Sequence, residues 1–414
     1  MVVETGRRPP RPTLVLMPID IDRVRHDTPA SASLIHFNNA GSSLPPRPVT
    51  TAVIEHIELE ETIGGYEAAG ARQKTLELVP VHAARLLNCD PDEVAVTTSD
   101  TDSFSRAFWG YLLGGALRRD DVVLVDRITY TSHYLALLQA VRHAGIRLRV
   151  VPSDPAGAID LEALDRMLAA GAALVTATHV GTHRGLVNPA ADIGRLARAA
   201  RVPFFLDACQ SVGQMPVDVA TIGCDMLTVT GRKFLRAPRG TGLLYMRREI
   251  AQLCDPPGID GGVSAKWVDD TTYCLAEGAR RFESFESSIA SRIGLGVAIE
   301  YALEIGLEAI AERVGALADD LRRRLESLPG VHVHDGGHHR SAIVTFTIDG
   351  QEPIAIQEQL VARHINCSVS RAPSARLDQD ARGLPEVVRL SPHYYNTEDE
   401  IDVVARAVTD LATR

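Results

Sequence analysis

The sequence predicts an α/β protein: a mainly parallel, seven-stranded sheet covered by helices on both faces, joined to a smaller α+β domain. Three observations predict it. Seven short apolar runs rich in β-formers follow one another: EVAVTT (93–98), VVLVD (122–126), LRVVP (148–152), ALVTATHV (173–180), VPFFLDA (202–208), DMLTVT (225–230) and GLLYMR (242–247). Helical patterns separate most of them, and strands alternating with helices build βαβ units around a parallel sheet. The pattern then changes after residue 285. A long helical stretch (289–328) with a glycine- and alanine-rich face gives way to strand candidates VHVH (331–334) and AIVTFTI (342–348). After them come helix EPIAIQEQLVARH, loop SRAPSARLDQDARGLPE, strand VVRLS and helix EDEIDVVARAVTDLA. Finally, 414 residues exceed what one hydrophobic core usually holds.

The ends of the chain read differently. The start, MVVETGRRPPRPTLVL, is rich in arginine and proline and lacks an apolar core with a small-residue cleavage site, so residues 1–30 are expected to form a flexible arm. Residues 31–60 should pack with the small domain: HFNNAGSSLPPRPV (36–49) is a loop by composition, and a helix follows to about residue 61. GGYEAAG (64–70) breaks the helical pattern, and 72–87 reads as an amphipathic helix. The large domain is placed at 61–286 and the small one at 287–414.

Composition narrows the function. A net charge of −10 disfavours nucleic acid and anionic membranes as main partners. No run of 18 apolar residues exists, and six scattered cysteines without a C-x-x-C pair suit a reducing cytoplasm better than a disulfide framework.

Lysine is scarce: Lys74, Lys233 and Lys266 stand against 43 basic residues in all. Lys233 nevertheless sits just beyond the strand DMLTVT, between glycine turns, in TGRKFLRAPRGTG. An amine placed there can condense with an aldehyde once burial or cationic neighbours lower its pKa. The phosphate-loop pattern G-x-x-x-x-G-K-[ST] is absent. Upstream, VPFFLDACQSVG ends an apolar strand in Asp207, followed by Gln210. A carboxylate at the end of a buried strand is costly unless a cation faces it. The pyridinium nitrogen of pyridoxal phosphate is such a cation.

DACQSVGQMPVDV, TGRK and GTGLLY together resemble the class V aminotransferase family of fold type I pyridoxal-phosphate enzymes, a group with cysteine desulfurases, C–S lyases and isopenicillin N epimerase-like members. The resemblance runs over about residues 37–407. It implies pyridoxal 5′-phosphate as cofactor, an amino-acid substrate and a homodimer with shared active sites. It makes Lys233 the cofactor's covalent anchor and the base for Cα. Asp207 then partners the ring nitrogen, Gln210 donates to the ring oxygen, and Tyr130 in RITYTSHY stacks on the ring. TTSDTDSFSRAFW (97–109) occupies the place of a phosphate-cradling loop before a helix, where free N–H groups attract anions. Asp100 and Thr101 are its candidates, although Asp100 stands where the family has glycine. Ser99, Asp100 and Thr101 serve equally well as an N-cap. Thr230 and Arg232 are further phosphate candidates.

RRFESFESSIA (280–290) aligns with the segment whose threonine reaches a partner subunit's phosphate. Glu286 holds that place, which leaves Ser287 or Ser288 to take over. RLSPHYYNT (389–397) matches the family's R-x-S-x-x-x-Y-N-T, and Arg389 is expected to fork onto the substrate carboxylate. Asn38, Asn39 and His179 are further substrate-side candidates, each of which reads equally as turn, capping or core chemistry. His332, His334, His338 and His339 read as an edge strand and loop, so no metal is expected.

Cys367 lies near the place of the desulfurases' sulfur-accepting cysteine, but NCSVSRAPSARLD lacks their R-T-G-H-H-C-A pattern. A buried structural thiol is the expected reading. The resemblance then points nearest to C–S lyases of ergothioneine or lincosamide pathways, cleaving an S-conjugated cysteine to thiol, pyruvate and ammonia. Decarboxylative oxidative deamination, epimerisation and transamination stay open, as does a non-catalytic cofactor-binding module.

Overall fold

The computed structural model describes residues 18–371, 374–383 and 386–413. Its centre is a seven-stranded sheet. The strands are β1 (Val94–Thr97), β2 (Val122–Val125), β3 (Arg147–Val150), β4 (Leu174–Thr178), β5 (Phe204–Asp207), β6 (Met226–Thr230) and β7 (Gly242–Met246). Their order is β1-β7-β6-β5-β4-β2-β3, and only β7 runs antiparallel to its neighbours. Strands β4 to β7 are buried at every residue, as their unbroken apolar or threonine-rich text requires of a sheet covered on both faces. At the edge, β3 (RLRV) alternates arginine outward with a half-buried aliphatic residue. In a sheet of this topology the carboxyl ends of the strands gather ligands. Asp207 ends β5 and Thr230 ends β6.

The second domain holds β8 (Val331–Val333), β9 (Val344–Ile348), β10 (Ser368–Ser370) and β11 (Val387–Leu390), antiparallel in the order β8-β9-β11-β10. Helices Leu307–Glu326 and Glu398–Ala412 pack together beside it. The helix Ile289–Ile305 instead packs on Arg47–Ile63 and Gln73–Leu87. Its small residues allow that approach: a Cβ on Gly294 would meet Val53 at 2.7 Å, and one on Gly296 would meet Val79 at 3.0 Å.

Several elements depart from the expected pattern. The helical stretch 289–328 is two helices, parted at Gly306 with φ of 94°. Within GGYEAAG only Gly64 interrupts the helix, because its φ of 94° turns the chain; Gly65–Ala71 then resumes as helix. Within the expected flexible arm, residues 1–17 lie outside the described residues, but Ile21–His26 is a helix capped by Asp20. Arg25 anchors it to Glu400 at 2.8 Å and to the Tyr395 carbonyl at 2.9 Å. The stretch read as a loop at 370–386 contains the helix Arg376–Arg382, whose Asp378 is buried against His183 and Arg184. An exposed hairpin, Ala265–Asp269 with Thr272–Leu275, had no reading in the sequence.

The loop after residue 34 joins both domains. Ile35–His36 pairs in parallel with Ile365–Asn366, and Asn38 bridges to Ser391. A few residues on, the Ser43 amide donates to the Arg232 carbonyl at 2.9 Å, next to Lys233.

Candidate active site

The carboxyl ends of β4, β5 and β6 bring the chemistry together. Lys233 follows β6 and is 7 % exposed. Its Nζ donates to Cys209 Sγ at 3.3 Å and stands 5.8 Å from the centroid of the Tyr130 ring. Among the described residues no carboxylate forms an ion pair with this amine. Tyr130 leads into the helix Thr131–Ala144 as its N-cap residue.

Asp207 is buried at the end of β5. It accepts from the Cys209 amide at 2.9 Å and from Thr178 Oγ1 at 3.5 Å. Burial first, and then the neighbouring Asp100 carboxylate, push its carboxyl up to about 6. Asp100 does not face outward to a phosphate as the sequence suggested. Its side chain turns in beneath Asp207, where Oδ2 meets His133 Nε2 at 2.9 Å. The reason is local: Ser99 already caps the helix Asp100–Leu113 through the Asp102 amide, so the Asp100 side chain is free to pair with an imidazole. Burial works to raise Asp100, but the His133 imidazole outweighs it and holds the carboxyl below its ordinary range. Burial likewise opposes charge on His133, and the Asp100 and Asp207 carboxylates overcome it, so His133 lies above its usual value. His133 was not singled out in the sequence; an i,i+3 offset from Tyr130 on a helix was the available signal.

Gln210 is buried, and its Nε2 donates to Thr182 Oγ1 and to the Ala40 carbonyl, each at 3.1 Å. Its Oε1 has no partner, and neither has His179 Nδ1, Asn38 Oδ1 or Asp100 Oδ1, all buried. Burial alone lowers His179 to about 4, so its imidazole is neutral. The unmatched polar atoms of Gln210, His179 and Asn38, beside a buried lysine and a strand-end carboxylate, mark a space built for a polar ligand. That chemistry fits pyridoxal phosphate: an amine for its aldehyde, an acid for its ring nitrogen and a helix start for its phosphate.

Arg389 comes from β11 of the small domain. Its Nη1 donates to the Thr182 carbonyl at 2.7 Å and to Thr182 Oγ1 at 3.0 Å, and its Nε to Ser368 Oγ at 3.1 Å. Burial, with Arg232 adding to it, lowers the guanidinium to about 10, and it forms no ion pair among the described residues. A buried cation without a counter-ion is a receptor for one.

Other candidates are placed less favourably. Arg232 commits Nη1 to the Gly41 carbonyl at 2.6 Å, tying down the leading loop beside the site. Asn39 is spent internally: its amide donates to the His36 and Ser391 carbonyls, and its oxygen accepts from Tyr395. It holds the loop and does not face the pocket. Thr101 is exposed on the first turn of its helix, and Thr230 is buried at the end of β6. Ser288 caps the helix Ile289–Ile305, while Glu286 and Ser287 line a small cleft with Thr98, Asp102 and Arg292. The four histidines at 332–339 do not converge: His332 pairs with Asp349, His334 with Thr347 and His338 with Asp154. Cys367 is 4 % exposed, with its thiol pushed up to about 12 by burial.

The profile of the family described as Aminotransferase class-V matches residues 35–404. The chain belongs to the class V aminotransferase family. Its cofactor is pyridoxal phosphate, as the site and the family require. A probable cysteine desulfurase of Methanothermobacter thermautotrophicus is 27% identical over 401 residues, covering 94% of this chain and 97% of that protein. One from Xylella fastidiosa is 29% identical over 396 residues, with 92% and 93% covered. The apo structure of a cysteine desulfurase from Thermococcus onnurineus superposes with a TM-score of 0.88 at 26% identity, covering 96% and 99%. A cystine C–S lyase in complex with cysteine persulfide shares the fold, at a TM-score of 0.82 and 22% identity over 92% and 99%. The chain is thus a class V pyridoxal-phosphate enzyme whose relatives are cysteine desulfurases.

Proposed function

We propose that this enzyme cleaves the Cβ–S bond of an S-conjugated cysteine, releasing a thiol, pyruvate and ammonia without passing sulfur to a protein cysteine. The observation that carries the reading is the placement of its thiols. Five of the six cysteines are buried, and burial raises Cys209, Cys224, Cys254 and Cys367 well above an ordinary thiol. A sulfur acceptor must be an accessible thiolate. Cys209 is the thiol nearest the amine, but it shares its pocket with the Asp100 and Asp207 carboxylates, which oppose its ionisation.

In this reading Arg389 binds the substrate α-carboxylate with the two Nη2 hydrogens left over from Thr182 and Ser368. That fixes Cα over Lys233, which takes its proton as general base. The bound cofactor supplies the electron sink that makes this proton acidic. Asp207 keeps the ring nitrogen charged, Gln210 and the neutral His179 offer polar atoms at its rim, and Tyr130 shelters the face nearest Lys233. The enzyme acts as a homodimer in a reducing compartment. Supporting the dimer, Tyr66, Trp267 and Phe285 are 80%, 75% and 52% exposed, and the Tyr66 and Phe285 rings lie 6.5 Å apart. A monomeric mass in an active preparation would refute that part.

The test is a product assay on a bulky S-conjugated cysteine, following pyruvate, thiol and carbon dioxide with and without oxygen. Pyruvate and thiol in equal amounts, without carbon dioxide or persulfide on the protein, are expected. Persulfide on a cysteine, Cys274 included, would make the enzyme a desulfurase. Carbon dioxide with an intact C–S bond would make it a decarboxylating deaminase.

A further inference from the structure

Under the strand-end carboxylate lies a second layer that the reaction outlined above does not use. Asp100, His133 and Asp207 are 4 %, 1 % and 5 % exposed. The His133 imidazole bridges the two acids, with Nε2 at 2.9 Å from Asp100 Oδ2 and Nδ1 at 3.6 Å from Asp207 Oδ2. Its ring is clamped: Phe104, one turn along the same helix as Asp100, stacks on it with centroids 3.9 Å apart and planes 9° from parallel. Tyr130 meets it edge-on at 6.4 Å. The second oxygen of Asp100 has no partner, and an oxygen of Asp100, one of Asp207 and Cys209 Sγ all lie within 4.8 Å of one another.

Two carboxylates cannot both be ionised in a dry wall unless cations lie among them. An imidazolium between them leaves the cluster with one net negative charge, which a single pyridinium balances. Without Asp100, an imidazolium and a pyridinium would compete for the one charge on Asp207. The other titratable groups facing the cluster are Lys233 and Cys209 above it and Asp126 beside it at the end of β2.

We propose that Asp100 and His133 are positioning residues that aim Asp207 at the cofactor's ring nitrogen, by holding a charged imidazole between the two carboxylates. The inference rests on the pyridoxal-phosphate assignment. It explains why a carboxylate stands where the resembling segments carry glycine: Asp100 supplies the charge that lets His133 stay cationic next to a cationic ring.

The experiment compares wild type, Asp100→Asn, Asp100→Gly, His133→Gln and the Asp100→Asn/His133→Gln double variant. Three readouts apply: ¹⁵N resonances of His133 in cofactor-free protein, the ¹⁵N shift of ring-labelled pyridoxal phosphate in the holoenzyme, and the cofactor dissociation constant. Asp100→Asn should lower the proton affinity of His133 at least tenfold. It should move the ring nitrogen from a pyridinium toward a neutral pyridine shift and raise the dissociation constant about tenfold. Asp100→Gly should act the same way. The double variant should match His133→Gln alone, because Asp100 works through the imidazole. A purely structural role would weaken binding without moving the ring-nitrogen shift. An unchanged ring shift and a dissociation constant within twofold in both Asp100 variants would overturn the proposal. If borohydride fixed no cofactor on Lys233 of wild type, the cofactor assignment itself would fall; fixation in wild type with silent Asp100 variants would sink only this inference.

Discussion

Replacing Arg389 tests the substrate side of the site directly. The guanidinium has five N–H donors. Nε and both Nη1 hydrogens are engaged by Ser368 and Thr182, so the two Nη2 hydrogens are left for a ligand. Hydrogen bonds to charged groups contribute about 1.5–3 kcal/mol each. Two of them to an α-carboxylate are worth about 3–6 kcal/mol, or roughly 10² to 10⁴ in kcat/KM at 1.4 kcal/mol per decade. Arg389→Gln should lose that factor. Arg389→Lys, which keeps the charge and loses the fork, should lose about one bond's worth, roughly 10- to 100-fold. The assay is steady-state kcat/KM on one conjugate, beside cofactor content and the bound-cofactor spectrum, which should be unchanged because Arg389 contacts the Thr182 loop and not Lys233. A kcat/KM within threefold of wild type for Arg389→Gln, with full cofactor, would refute the carboxylate assignment.

Three more outcomes follow from the geometry. Asp126 is buried, accepts from the Thr178 amide at 3.1 Å and Asn188 at 2.9 Å, and burial pushes it up to about 8. The folded state therefore holds its proton where the unfolded chain has lost it, and this group's stabilising share falls by about 1.4 kcal/mol per unit as pH rises from about 4 to 8. The melting temperature of Asp126→Asn should gain on wild type across that window and run parallel to it above pH 8; parallel curves throughout would refute the shift. Native protein should react with one equivalent of a bulky thiol reagent, at Cys274, since the other five cysteines are buried; mass spectrometry showing rapid labelling of Cys367 would contradict its placement. Gly213→Ala should cost at least about 2 kcal/mol in unfolding free energy and reduce cofactor loading. Its φ is 95°, and a Cβ there would stand 2.3 Å from the Phe234 carbonyl carbon, next to Lys233. Wild-type stability in that variant would show that the turn can relax.

Much of the architecture was legible because it is written in local pattern. Each of the seven predicted runs falls on one strand of the central sheet, the edge strand starting one residue before its run at Arg147, since strands buried on both faces must be apolar throughout. Asp207 and Lys233 stood out because polar residues at or just beyond the ends of such runs are expensive, and Arg389 through the likeness of RLSPHYYNT to the family's motif. What escaped was set by tertiary contacts. The inward turn of Asp100 depends on His133, 33 residues away, and nothing in TTSDTDS records it. The helix Ile21–His26 holds through Arg25 and a partner at residue 400, which no short window can show. Gly65–Ala71 was lost to the weight given to glycine, although only Gly64 uses the positive φ. Asn39 read as a ligand contact because a loop rich in asparagine looks the same whether it serves a substrate or its own backbone.

The loop that pairs Ile35–His36 with Ile365–Asn366 sets a timetable for the growing chain. Residues 35 and 36 find their strand partner only after some 330 more have been added. Ser391 and Tyr395, which hold Asn39, come later still. The large sheet can assemble during synthesis, but the wall that closes over Lys233 cannot. Loop-closure entropy of that length must be met at the end, so docking of the two domains should be the slow phase of refolding, separable from sheet formation. A nascent chain stopped before β11 would carry its lysine in an open pocket, with the cofactor's anchor made and the substrate's arginine not yet in place.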